Sequence, residues 1–103
     1  MAYSVIKFRR AESDIIEIGR YIAVDLDSPE SASKLLDEFE VSISSLDSMP
    51  KRFPLVRDDR LAKRGIRLMP VKNYLVFYTI DEQTKTVNII GVMYGKRDWR
   101  NLL

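Results

Sequence analysis

A chain of 103 residues is enough for one domain, which at this size buries roughly 60–70% of its unfolded surface around a modest core. It contains no cysteine and no histidine, which excludes disulfides, thiolate nucleophiles, cysteine–metal sites and the commonest neutral-pH general base and zinc ligand. The net charge of +2 conceals an asymmetry: residues 11–48 hold ten acids against two bases, and residues 51–72 hold eight bases against two acids. No apolar run approaches the ~20 residues that span a bilayer, and the opening "MAYSVIKFRRAES" lacks a secretory signal, so a cytoplasmic protein is expected.

Residues 2–9 alternate Tyr3, Val5 and Phe8 with polar positions and predict a strand. From Ala11 the period changes. Ala11, Ile15, Ile18, Ile22 and Leu26 recur at helical spacing, with Asp14 and Glu17 early enough to complement the helix dipole. "DLDSPES" interrupts this helix, with Ser28 as N-cap and Pro29 in the first position of a second. Ala32, Leu35, Leu36, Phe39, Ile43 and Leu46 form its apolar stripe, and Pro50 ends it.

Residues 51–64 read as basic and irregular. "GIRLMPV" predicts a strand, "KN" a tight turn in which the asparagine tolerates positive φ, and "YLVFYTI" a central strand. "DEQTK" turns the chain into "TVNIIGVMY", a third strand of a meander. The order β-α-α-β-β-β predicts an α+β fold: a helical hairpin packed on one face of a twisted antiparallel sheet, in a single domain over 1–103.

Functional residues are expected on the face left bare by the hairpin. Ile66 and Leu68 suit the helix-covered side, which would send Arg67 to the other. Lys72, Tyr94, Lys96 and Arg97 lie at strand ends that reach the same region. Convergent cations beside a tyrosine and Trp99 suit a phosphate backbone or an acidic peptide. RNA cleavage at such a site would use arginine or lysine charge to stabilise the phosphate. Its proton transfers would fall to Lys, Tyr or a carboxylate, whose ordinary pKa values match pH 7 poorly. No phosphate-binding loop, dinucleotide fingerprint, zinc signature or nucleophile elbow is present.

The ordered set "YIAVDLDSPESASKLLDEF", "SLDSMPKRFP", "GIRLMPVKNYLVFYTID" and "VNIIGVMYGKRDWRNLL" resembles the RelE/ParE superfamily of toxins from bacterial type II toxin–antitoxin systems. The resemblance spans nearly the whole chain. It implies a helical hairpin on an antiparallel sheet, growth arrest, and neutralisation by a cognate antitoxin in a hetero-oligomer; no metal, cofactor or membrane is expected. RelE-like members tend to carry a functional arginine after the tyrosine that opens the third strand, whereas here Leu75 follows Tyr74. The arginine of the terminal GKR element is present as Arg97.

The favoured reading is therefore a ParE-like inhibitor of DNA gyrase. The alternative is a RelE-like, ribosome-dependent, metal-independent endoribonuclease that cleaves mRNA. Arg67, Lys72, Lys96, Arg97 and Trp99 are the expected binding residues for phosphate, antitoxin or target. Arg67, Tyr94 and Arg97 are the catalytic set if RNA is cut.

Overall fold

The structure, a computed structural model, describes residues 3–103. The chain runs through β1 (Ser4–Lys7), α1 (Arg9–Arg20), α2 (Pro29–Ser44), α3 (Asp59–Lys63), β2 (Arg67–Val71), β3 (Tyr74–Asp81) and β4 (Thr86–Tyr94). Residue 2 of the expected first strand lies outside the described residues. Among the described residues, no helix is long and apolar enough to cross a membrane.

The helical stripes form the core as their spacing requires. Ala11 of α1 and Leu35, Phe39 and Ile43 of α2 are buried together, with Ile15, Ile18 and Ile22 packed alongside. The first helix runs on through a π-helical turn, Tyr21–Asp25, and that wider turn leaves Leu26 55% exposed instead of in the core. Ser28 occupies the N-cap of α2, but its hydroxyl donates to Ser31 Oγ at 2.7 Å and caps no backbone amide. Gly19 lets the two helices meet closely, since a Cβ there would stand 3.1 Å from Leu36 Cδ1.

The sheet order is β1-β4-β3-β2. β2, β3 and β4 make the expected antiparallel meander, and β1 adds to it parallel to β4. One face carries Met69, Val71, Val76, Tyr78, Val87, Ile89 and Val92 into the hairpin core. A bulge at Ile90, where Tyr78 pairs with Ile89 but Phe77 with Gly91, resets the alternation so that both halves of β4 keep this face apolar. The two-residue turn between β2 and β3 places positive φ on Lys72, at 56°, and not on Asn73 as expected.

The opposite face is not bare. Val56, Leu61, Ile66, Phe77, Met93 and Trp99 form a second core there, with Leu68 and Leu75 packed against it. The segment expected to be irregular builds its lid: Asp58 caps α3 by accepting from the Leu61 amide at 3.1 Å, and Leu61 points inward. The last residues fold back to seat Trp99 5.2 Å from Phe77, ring centre to ring centre. An apolar face on both sides of β3 needs cover on both sides, and the hairpin can cover only one.

This second core reverses the expected phase of β2. Ile66 and Leu68 face the α3 side, so Arg67 faces the hairpin side with Tyr78, its cross-strand partner.

Candidate functional site

The shortness of β1 creates a cleft. β1 pairs only with residues 86–89, so the outer edge of β4 beyond Ile89 has no strand beside it. α1 begins two residues after β1 and runs along that edge, where Asp14 Oδ2 accepts the Val92 amide at 2.9 Å. Past Asp14 a cleft of about 560 Å³ lies between the helix and the end of the sheet.

Asp14, Glu17, Ile18, Tyr21 and Leu26 line one wall, and Tyr74, Val92, Met93, Tyr94 and Arg97 line the other. Tyr74 sits edge-on between Phe39 and Tyr94, with ring centres 5.7 Å apart in each pair. Burial pushes the Tyr74 phenol above its ordinary value of 10.0, and the Tyr94 and Tyr21 phenols push it the same way. The cleft therefore offers two carboxylates, three tyrosines and one guanidinium. That set suits an amphipathic protein segment with both aromatic and basic residues, because phenol edges and apolar walls accept side chains while the carboxylates accept cations.

Four of the expected site residues lie at this end of the sheet. Tyr94 is 44% exposed at the cleft mouth, and Arg97 lines it. Lys96 is exposed beside them. The turn bearing Lys72 is tied to the same corner, since Gly95 N donates to Asn73 O at 2.8 Å. Lys72 is itself held by α2, with Nζ 3.3 Å from Glu38 Oε2.

Arg67 and Trp99 do not join them. Arg67 opens β2 opposite Tyr78, four residues from the Val71–Tyr74 pair, or about 13 Å along the strand. Its guanidinium is spent on the loop after α2, donating to Phe53 O at 2.7 Å and Lys51 O at 3.4 Å. Those unpaired loop carbonyls explain why a strand arginine points to the hairpin side: they need donors, and no sheet strand supplies them. Trp99 is 7% exposed in the second core, under the Arg100 guanidinium at 4.5 Å.

Asp14, Glu17, Tyr21 and Tyr74 were not among the expected site residues. The two acids read as dipole partners and Tyr74 as core. The signal available in the sequence was the pair of tyrosines, Tyr74 and Tyr94, which open and close neighbouring strands of a hairpin and so fall opposite each other.

Comparison with known proteins agrees with this architecture. The family model for the ParE toxin of the type II toxin–antitoxin system parDE matches residues 6–99. No curated protein sequence matches the chain. Among solved structures, the chromosomal ParDE toxin–antitoxin system of P. aeruginosa is similar with a TM-score of 0.75 at 16% identity, covering 90% of this chain and 96% of that one. The RelBE2 toxin–antitoxin complex of Mycobacterium tuberculosis follows at 0.69 and 19% identity, covering 91% and 99%. The isolated E. coli RelE toxin gives 0.65 at 13% identity, covering 99% and 100%. With its hairpin-on-sheet fold shared by these structures and the family pattern running through nearly all of its length, the chain belongs to the ParE toxin family of type II toxin–antitoxin systems, within the RelE/ParE superfamily.

Proposed function

We propose that this toxin arrests growth in the cytoplasm by inhibiting DNA gyrase through protein–protein contact, without cutting nucleic acid. The observation that carries this reading is the charge of the cleft. Arg97 is the one cation lining it, facing Asp14 and Glu17. Asp14 is balanced in part by Arg10 at 3.8 Å, while Glu17 has no ion pair among the described residues, so the lining offers a phosphate backbone little net attraction. Cleavage would also require a proton-transfer group poised near neutrality, and Tyr74 is shifted away from it. Arg67, the second phosphate holder that a nuclease would use, stands at the far end of the sheet with loop carbonyls as partners. The family match and the likeness to a ParDE system lean the same way.

A cognate antitoxin is the expected regulator, as the similar ParDE and RelBE2 structures are toxin–antitoxin systems. The test pairs two reactions. Purified toxin should lower supercoiling by purified gyrase while mRNA stays intact in a translating extract. Shortened mRNA that Arg97→Ala restores to full length would replace this reading with the ribonuclease alternative.

A further inference from the structure

The layer over the second core has a charge that the cleft does not explain. Leaving aside Lys96 and Arg97, which belong to the cleft corner, residues 57–64 and 98–103 carry five Lys and Arg against three Asp, and Arg10 of α1 reaches the same turn. Three arginines converge on the main chain of the C-terminal turn: Arg60 Nη2 donates to Arg100 O at 2.6 Å, Arg64 Nη1 to Leu103 O at 2.7 Å, and Arg10 Nη1 to Leu102 O at 3.0 Å. Each of these bonds uses one nitrogen of a five-donor fork; Arg60 Nε also lies 3.8 Å from Asp58 Oδ1 and Arg10 Nε 3.8 Å from Asp14 Oδ2, whereas Arg64 makes no ion pair among the described residues. Arg57, Lys63 and Arg100 are exposed on the same layer and make no ion pair among the described residues. Asp58 both caps α3 and pairs with Arg60 at 3.8 Å, so the cations of this layer left without an ion pair among the described residues are Arg57, Lys63, Arg64 and Arg100.

Gathering the unpaired cations Arg57, Lys63, Arg64 and Arg100 on one layer costs self-repulsion, which a bound polyanion relieves. We propose that the surface formed by α3 and the C-terminal turn docks on the phosphate backbone of double-stranded nucleic acid. This surface is separate from the cleft, and the proposal does not depend on which target the cleft engages. The cations are mostly arginine, whose planar fork matches phosphate oxygens two at a time. The aromatic at the centre, Trp99, is buried under Arg100 and presents no ring to an unstacked base, which argues against single strands. An acidic peptide would want a groove or a free sheet edge. The clefts at Tyr74, at Tyr3 and on α2 all open elsewhere. What remains is backbone contact without base readout, and hence binding independent of sequence.

The test is fluorescence anisotropy of the full chain with labelled 20-base-pair DNA and RNA duplexes across 0.05–0.2 M salt, where the Debye length is about 10 Å at 0.1 M. Four or five phosphate contacts predict affinity falling with a log–log slope near −4. Arg57→Gln with Lys63→Gln leaves the three tail-holding arginines in place. It should flatten that slope by about 1.8 and weaken binding about 60-fold at 0.1 M salt, taking each contact as counterion release alone. Lys34→Gln, on the acidic hairpin, should change nothing. The duplex bound more tightly, DNA or RNA, identifies the source of the phosphates. The proposal is overturned if neither duplex binds at 0.05 M salt, if the double variant binds like the wild type with an unchanged melting curve, or if polyglutamate competes as well as duplex at equal charge.

Discussion

Trp99→Ala separates a packing role from a contact role at the residue where they predict most differently. Trp99 is the largest side chain of the second core, packed on Phe77 and sharing its cluster with Val56, Leu61, Ile66 and Met93. Truncating a buried tryptophan costs about 3–5 kcal/mol. A chain of this length has about 5–15 kcal/mol of stability in total. Each kcal/mol moves the midpoint by about 4–8 °C at this size, so the variant should melt on the order of 20 °C lower. The loss also unseats the tail, since the carbonyls held by Arg60, Arg64 and Arg10 all lie within four residues of Trp99. Circular dichroism melts measure the shift, and Trp99→Phe, which keeps a ring against Phe77, should recover most of it. Because this is the chain's single tryptophan, its fluorescence reports the same burial, with blue-shifted emission that moves red as the tail detaches. A Trp99→Ala protein melting within about 5 °C of the wild type, while losing affinity for its target, would refute a buried Trp99 and restore it to the contact surface.

Three further outcomes follow from the same geometry. Arg67→Met should lower stability by about 1.5–3 kcal/mol, the worth of charge-assisted bonds to the loop carbonyls, and leave gyrase inhibition per folded molecule unchanged; denaturant melts beside a supercoiling assay read both. Asp14→Ala should cost about 1–3 kcal/mol in the same melts, because the Val92 amide at the open edge of β4 loses its acceptor. The Tyr78 phenol is pushed above its ordinary value of 10.0 by burial, with the Arg67 and Arg52 guanidinium groups offsetting part of the rise. A raised pKa contributes stability that is fully present below the unfolded value and is lost as pH climbs through the folded one, so the protein should weaken above pH 10 and Tyr78→Phe should flatten that alkaline limb.

Much of the fold is legible because its signals are local. Helical spacing from Ala11 and from Ala32, Pro29 at the start of α2 and the two short turns of the meander each depend on a few neighbouring residues. The facing of the strands is harder to read. β3 and β4 are apolar at nearly every position, so alternation carries no phase, and the bulge at Ile90 shifts what phase there is. Given one polar residue in β2, Arg67, the simplest inference sends it away from the hairpin. Long-range partners decide otherwise: the carbonyls of Lys51 and Phe53, and an α3 lid whose one strong signal is Asp58 three residues before Leu61. The cations at the end of β4 lie together at one corner, but Arg97 lines a cleft against α1 and not a face the hairpin leaves bare, and the acids facing it were not expected, since Asp14 and Glu17 serve equally well as dipole partners when nothing shows what packs against α1.

The location of the cleft is a consequence of strand lengths. β4 spans nine residues and β1 four, so a parallel pair in register at Ser4 and Thr86 must leave five residues of β4 without a partner on that edge. An open edge of that length invites pairing with another chain. Covering it with α1 solves the problem only if the helix supplies an acceptor, because a helix has no free carbonyls along its side. Asp14 is that acceptor. With Asp14 pinned to Val92, the next turns of α1 must pass over the end of the sheet, carrying Glu17, Ile18 and Tyr21 above Tyr74 and Tyr94. The carboxylate that closes the sheet edge therefore also gives the cleft part of its negative charge. On this reading, the preference for a basic and aromatic protein segment over a phosphate backbone follows from the way the fold protects its own open strand.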